Sequence, residues 1–297
     1  MSRPFAIVVD GTAALPEELV HAHDIRWLPL KVILNGDAYI AATSPADAGK
    51  PTHITTAEFY ERIKAKDVKP ETSAPNIEEC LDVYDAIINE GAREILVLTI
   101  ATELSATFSV AVTQARQRDP ARIEVVDSRS LAGGISLIGT AAARLRERGG
   151  SFDDAVALAR TMAGTVDILA AADTLEYLRR SGRVSGGAAL FGTLLSVKPI
   201  LEVKDGVVSP IDKVRTRDKA VARLRELIAS RTPEGARIHA CMLHTNDPDR
   251  ARTLGEWVQE RYHCVEYFLA EAGPVIGART GPGVIGLCWY QQQDGHA

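Results

Sequence analysis

Along the first half of the chain, short apolar runs alternate with stretches whose apolar residues recur at helical spacing. Ala6-Ile7-Val8-Val9 reads as a buried strand ending at Asp10-Gly11-Thr12, and Pro16 suits the first turn of a helix. An extended stretch over 27–34 runs into the turn pair Asn35-Gly36. Residues 41–53 have no period and are rich in Ala, Pro, Gly and Thr, so they read as an inserted surface loop. Thr55 with Glu58, and Asn76 with Glu79, each match a capping box, in which the first-turn side chain and backbone satisfy one another. Helices are therefore expected from Thr55 to about Lys66 and from Asn76 to Gly91. A strand over 94–98, a helix over 105–118, a strand over 123–126 and a long helix over 131–148 follow. Strands alternating with helices predict a mostly parallel sheet covered on both faces, a three-layer α/β/α arrangement.

Gly149-Gly150-Ser151 is the best linker candidate and divides the chain into 1–150 and 151–297. Beyond it the pattern predicts a helix over 153–162, a strand over 168–172 and a helix near 175–179. Two extended stretches, 197–203 and 207–210, flank Asp205-Gly206 as a hairpin. A helix over 217–230, a strand over 238–243, a helix over 248–261 and strands over 265–269 and 284–290 complete the pattern. Hairpins mixed with helices predict an α+β second domain.

Composition narrows the partners. Hydrophobic residues make up 46% and charged residues 25%, the balance of a folded chain. Aromatics are only 5% and the net charge is -5, which argues against nucleic acid, whose phosphates call for concentrated Lys and Arg. The four cysteines are widely spaced with no CxxC pair, and residues 1–5 carry no signal-peptide pattern, so a reduced, cytoplasmic protein is expected. No apolar run reaches the ~18 residues of a membrane span.

Familiar catalytic motifs fail on inspection. The stretch from Gly281-Pro282-Gly283 to Gly286 matches GxGxxG, yet Pro282 sits inside the turn and too little chain follows for a βαβ unit. Those glycines read instead as a tight turn or a close backbone approach. The histidines form no ligand set, and no metal or cofactor is expected. Asp10, Asp127 and Asp173 lie at strand ends and read as caps for following helices rather than as acids or bases. What remains is rich in hydroxyls: Thr72-Ser73-Ala74-Pro75 precedes a helix, and residues 99–107, with Thr102, Ser105 and Thr107, join a strand to a helix. Helix N-termini beyond the carboxyl ends of parallel strands suit an anion, although ordinary N-capping also uses hydroxyls.

In order along the chain, these segments resemble the motifs of the DegV family of bacterial fatty-acid-binding proteins. The stretch from Ile7 to Asp10-Gly11-Thr12 with Leu15-Pro16, then Thr72-Ser73-Ala74-Pro75, Leu104-Ser105-Ala106-Thr107 and Val126-Asp127-Ser128, each resemble a family motif. The most specific match runs from Asp173 through Arg179-Arg180-Ser181-Gly182-Arg183 to Lys198-Pro199-Ile200, and Gly273-Pro274 with Gly281-Pro282-Gly283 completes it. Departures are Gly11 for serine, Ala74 for glutamine, Ala101-Thr102 for Ser-Ser, Ala106 for glycine and Arg279 for the usual histidine.

The resemblance implies two α/β domains with a lipid tunnel between them. It implies a long-chain fatty acid held by Thr72, Ser73, Thr102, Ser105, Thr107 and Arg279. It also implies a separate fatty-acid kinase that phosphorylates the bound carboxylate, so the chain itself is a carrier and not an enzyme. Arg179, Arg180, Arg183 and Lys198 are the expected docking residues for that kinase, with transient membrane-surface contact allowed. Two rivals stay open: a lipid-binding regulatory or storage protein without a kinase, and an enzyme using Ser105 or Thr107 as nucleophile. The 41–53 insertion would lengthen a lid over the tunnel, and Arg279 would hold a carboxylate through two parallel bonds or else fill the site.

Overall fold

The computed structural model describes residues 5–42, 47–65, 67–118, 121–185 and 197–292. Strand β1 (Ala6–Asp10) leads through helix α1 (Glu17–His23) to β2 (Ile25–Leu28), β3 (Lys31–Leu34), β4 (Asp37–Ala41) and β5 (His53–Ile54). Next come α2 (Thr56–Arg62), β6 (Glu71–Ser73), α3 (Ile77–Asn89), β7 (Glu94–Thr99), α4 (Thr107–Ala115), β8 (Arg122–Asp127) and α5 (Gly133–Glu147). Helix α6 (Phe152–Met162) precedes β9 (Asp167–Ala171), α7 (Glu176–Ser181), β10 (Lys198–Lys204) and β11 (Val207–Val214). Helix α8 (Arg217–Arg231), β12 (Arg237–His244), α9 (Pro248–Arg261), β13 (His263–Glu271), α10 (Pro274–Thr280) and β14 (Ile285–Gln291) close the described chain.

The first sheet has the order β2-β1-β7-β8 and is parallel throughout, as the alternation predicts. Its strands are apolar on both faces because both are covered. In β1, Ile7 and Val9 face a core shared with α5, while Val8 faces a second core with Tyr84 of α3 and Ala111 of α4. Each such fully buried aliphatic side chain contributes about 1.5–3 kcal/mol relative to exposure.

The expected single stretch over 27–34 is divided between two sheets. Pro29 lacks an N–H to donate, and the chain leaves the first sheet after Leu28. It re-enters a small sheet of order β5-β4-β3-β6 at Lys31. Asn35 and Gly36 both take positive φ, 52° and 95°, and close the β3–β4 hairpin. The ends of the expected 41–53 loop are strand residues, Ala41 in β4 and His53 in β5, and 43–46 lie outside the described residues. Helices α2 and α10 bury Phe59, Tyr60, Val275 and Ala278 against this sheet.

The third sheet, β11-β10-β9-β14-β12-β13, is antiparallel except for the β12–β13 pair. Its strands alternate faces. Leu169, Ala171, Ala240 and Met242 pack under α8 and α9, whereas Ile168, Cys241, Leu243 and Cys288 turn the other way, toward α5. Helix α5 is thus walled by two sheets and is buried over most of its length. Small residues permit the approach. A Cβ on Gly133 would stand 2.6 and 2.9 Å from the sulfurs of Cys241 and Cys288, and one on Gly139 would stand 3.1 Å from Val9. Gly149, at φ 85°, turns the chain after α5, and α6 then packs on α5, β7 and β8. The chain joins the third sheet at β9.

Candidate functional site

Between the first and third sheets, beneath the small sheet, lies a cavity of about 240 Å³. One wall is the third sheet's inner face, with Ile168, Ala170, Leu201, Val203, Val208 and Leu243. The opposite wall carries Leu30, Ile100 and Leu131, and α10 adds Val275 and Ile276. The polar lining comes from residues in or beside the ends of strands and helices: Thr12, Thr72, Ser73, Ser105, Thr245, Thr280, Arg183 and Arg279. An apolar slot with a few convergent donors is the form of a small-molecule site.

Arg279 is the last basic residue of α10, and its half-buried guanidinium spans to β6. Its Nε donates to Thr72 Oγ1 at 2.9 Å, and a second nitrogen donates to the same hydroxyl and, at 3.4 Å, to the Thr72 carbonyl. Burial and the nearby positive charge of Arg183 both weaken its hold on its proton, against a smaller pull from Glu71. Arg183 lines the cavity and donates to the carbonyls of Leu104 and Ser181, at 3.3 and 2.6 Å. Ser105 Oγ lies 2.8 Å from Thr107 Oγ1 and accepts from the Thr107 N–H at 3.3 Å. The helix expected from Ser105 therefore begins at Thr107, because Ser105 serves as a side-chain acceptor before the first turn.

Of the residues singled out from sequence, Thr72, Ser73, Ser105 and Arg279 meet at the cavity. Thr107 is fully buried behind Ser105. Thr102 does not line the cavity; it is exposed, and its hydroxyl donates to Asp127 at 2.8 Å. The basic residues are dispersed. Arg179 and Arg180 are exposed on α7, with Arg180 4.9 Å above the Tyr177 ring. Lys198 Nζ is held by the Asp173 carbonyl at 3.0 Å and the Asp173 carboxylate at 3.4 Å. Arg183 belongs to the cavity.

The three strand-end aspartates brace loops rather than cap the next helix. Asp10, fully buried, accepts from Thr12 and from the Ile100 N–H at 2.6 Å, and burial raises its pKa against those bonds. Asp127 accepts from the Arg129 N–H at 2.8 Å, and Asp173 pairs with Arg217 and Lys198. The glycines of 281–283 act as a close approach: Gly281 and Gly283 take φ of 73° and 86°, and side chains there would meet Tyr177 and Asp173. Thr12, Thr245 and Thr280 escaped the sequence reading. Their one signal was a hydroxyl at the end of a strand or short helix.

The family model that matches is that of the DegV family, over residues 4–292. A DegV domain-containing protein of Streptomyces coelicolor is 38% identical, covering 97% of this chain and 98% of that protein. Protein DegV of Bacillus subtilis is 30% identical, covering 96% and 98%. Among solved structures, one described as fatty acid binding of a DegV family protein from Thermus thermophilus is 30% identical. It superposes with a TM-score of 0.86 and covers 97% of this chain and 100% of that one.

Proposed function

This chain belongs to the DegV family, and from that premise we propose that its cavity holds one long-chain fatty acid and presents the carboxylate to a partner kinase for phosphorylation to an acyl phosphate. The observation that carries the reading is the pairing of an apolar slot with Arg279, Thr72, Ser73 and Ser105 at one end. A chain of ~15 methylenes represents roughly 12 kcal/mol of gross burial at about 0.8 kcal/mol each, much of it offset by lost freedom. The carboxylate needs donors, since an unpaired charge in an apolar site is very costly, and the cavity end supplies them. In this reading 1–150 and 151–297 are the two halves that clasp the ligand, and the protein works in the cytoplasm.

The carrier role is preferred to catalysis because the hydroxyl of Ser105 faces that of Thr107 rather than an imidazole base. Exposed Arg179 and Arg180 lie on α7, whose Leu178 lines the cavity, so a kinase docked there would stand beside the ligand head. The test has two arms. Mass spectrometry of lipid extracted from purified protein is expected to find a fatty acid near one per chain, and repeated lipid-free preparations that also refuse added palmitate would reject the reading. Transfer of labelled phosphate from ATP to the bound acid, on adding a fatty-acid kinase, separates the carrier from a storage or regulatory protein.

A further inference from the structure

The cavity end carries more positive charge than one carboxylate balances. Arg183 and Arg279 both line it. The partners of Arg279 are the Thr72 hydroxyl and carbonyl, and those of Arg183 are two carbonyls. Such acceptors take hydrogen bonds but do not neutralise charge. Among the described residues neither guanidinium has a carboxylate within 4.0 Å. The contrast with the surface is sharp: Arg26, Arg118 and Arg217 each pair with a carboxylate. Of the acidic groups near the cavity, Asp10 is committed to Thr12 and Ile100 and Asp173 to Lys198 and Arg217, while exposed Glu71 attracts Arg279 less strongly than Arg183 repels it.

We propose that this cavity end takes the phosphate monoester head of a single-chain lipid in preference to a carboxylate of equal chain length. The inference rests on the proposed function for its apolar half, the seat of one hydrocarbon chain, and differs in the head that sits between the arginines. A phosphate monoester brings about -1.5 to -2 charges and three strong acceptor oxygens. Those oxygens can serve two guanidinium forks and still accept from Ser73 or Ser105, whereas a carboxylate offers one charge and two oxygens. The mutual repulsion felt at Arg279 is relieved in proportion to the negative charge placed beside it.

Calorimetric titration with dodecyl phosphate, dodecanoate, dodecanol and inorganic phosphate, near pH 8, tests this. Dodecyl phosphate is expected to bind at least about tenfold more tightly than dodecanoate, a difference of about 1.4 kcal/mol. Arg183→Gln and Arg279→Gln should each shrink that ratio to about threefold or less while dodecanol affinity holds. Equal or tighter binding of dodecanoate overturns the inference and leaves the proposed function standing. Failure of all three chain ligands overturns both. Inorganic phosphate binding as tightly as dodecyl phosphate would mark a free-anion site and overturn the lipid assignment.

Discussion

Arg279 Nε donates to Thr72 Oγ1 at 2.9 Å, a bond between residues 207 positions apart in the chain. It ties the last turn of α10 to the edge strand β6 and sets a guanidinium at the cavity end. Two carboxylates that could have paired with it, Asp10 and Glu103, are engaged elsewhere: Asp10 with Thr12 and Ile100, Glu103 with the Thr102 hydroxyl. Removing Arg279 therefore strands no buried carboxylate, since Glu71, which attracts it, is exposed. Arg279→Ala is expected to weaken fatty-acid binding by about ten- to a hundredfold, the worth of one or two charge-assisted bonds. A fatty alcohol of equal length should lose far less, and the thermal midpoint should hardly move. Equal losses for acid and alcohol would refute the assignment.

Ser105 and Thr107 separate contact from support. Ser105 faces the cavity and Thr107 is buried behind it, 2.8 Å from its hydroxyl. Ser105→Ala should weaken the acid about tenfold at little cost in stability. Thr107→Val should cost stability as well, since Thr107 opens α4 and orients the serine. Titration calorimetry with parallel thermal melts resolves the two, and a Ser105→Ala variant that binds like the parent would move the carboxylate elsewhere.

Much of this was readable locally. The boxes at Thr55 and Asn76 are both formed, and the turns at Asn35-Gly36 and Asp205-Gly206 take the positive φ their residues favour. Each depends on neighbours within a few positions. Helix α10 was not legible: it has seven residues, contains Gly277, and is buried on most sides, so no amphipathic period marks it. Its glycine is explained by distant contacts, since a Cβ there would meet Phe59 and Tyr60. The placement of Arg183 in the cavity depends likewise on how α7 lies against the Leu104 loop, a relation no local pattern encodes.

Stability should depend on acidity through Glu266. Burial alone would raise its pKa, but the hydrogen bond with His239 and the charge of Arg144 outweigh burial and hold it below the usual carboxylate range. The unfolded chain then takes up this proton first, so the pairing stabilises fully above the unfolded pKa of about 4.3 and is lost as pH falls through the lower folded value. Glu266→Gln should lower the melting temperature at about pH 7, and the gap to the parent should narrow by about pH 3.5. A gap that is constant with pH would show that the charge is not involved.

The thiols should divide cleanly. Burial pushes Cys80 and Cys288 up to about 12 and holds Cys241 well above the ordinary thiol range; it raises Cys264 too, but that thiol is only partly buried and stays open to reagent. Thiolate is the reactive form. A colorimetric thiol reagent should modify one cysteine readily in the native protein and the other three only after unfolding. Fast native labelling of Cys241→Ser and parent by more than one equivalent would contradict the buried placement.

Two glycines around α5 should differ in kind. A Cβ on Gly134 would run into the Ser130 side chain and crowd Ile168, so Gly134→Ala should destabilise by about 1–3 kcal/mol through overpacking. Gly149 has open space around its would-be Cβ but a φ of 85°, so Gly149→Ala should cost about 1 kcal/mol from backbone strain alone. Urea melts give both values, and a reversed order would mean that the α5 start can yield.

Helix α5 has a further consequence during synthesis. One side closes on β1 and β7, which precede it, but its start rests on Cys241 and Cys288, in strands that come much later. At ordinary elongation speeds the ribosome delivers those strands roughly 5 to 30 seconds after the helix. For that interval the nascent N-terminal half displays an apolar groove shaped to receive a sheet that does not yet exist. A ribosome stalled after α5 has cleared the exit tunnel but before β12 is made should hold a chain that recruits a holdase chaperone, and the released full-length chain should not.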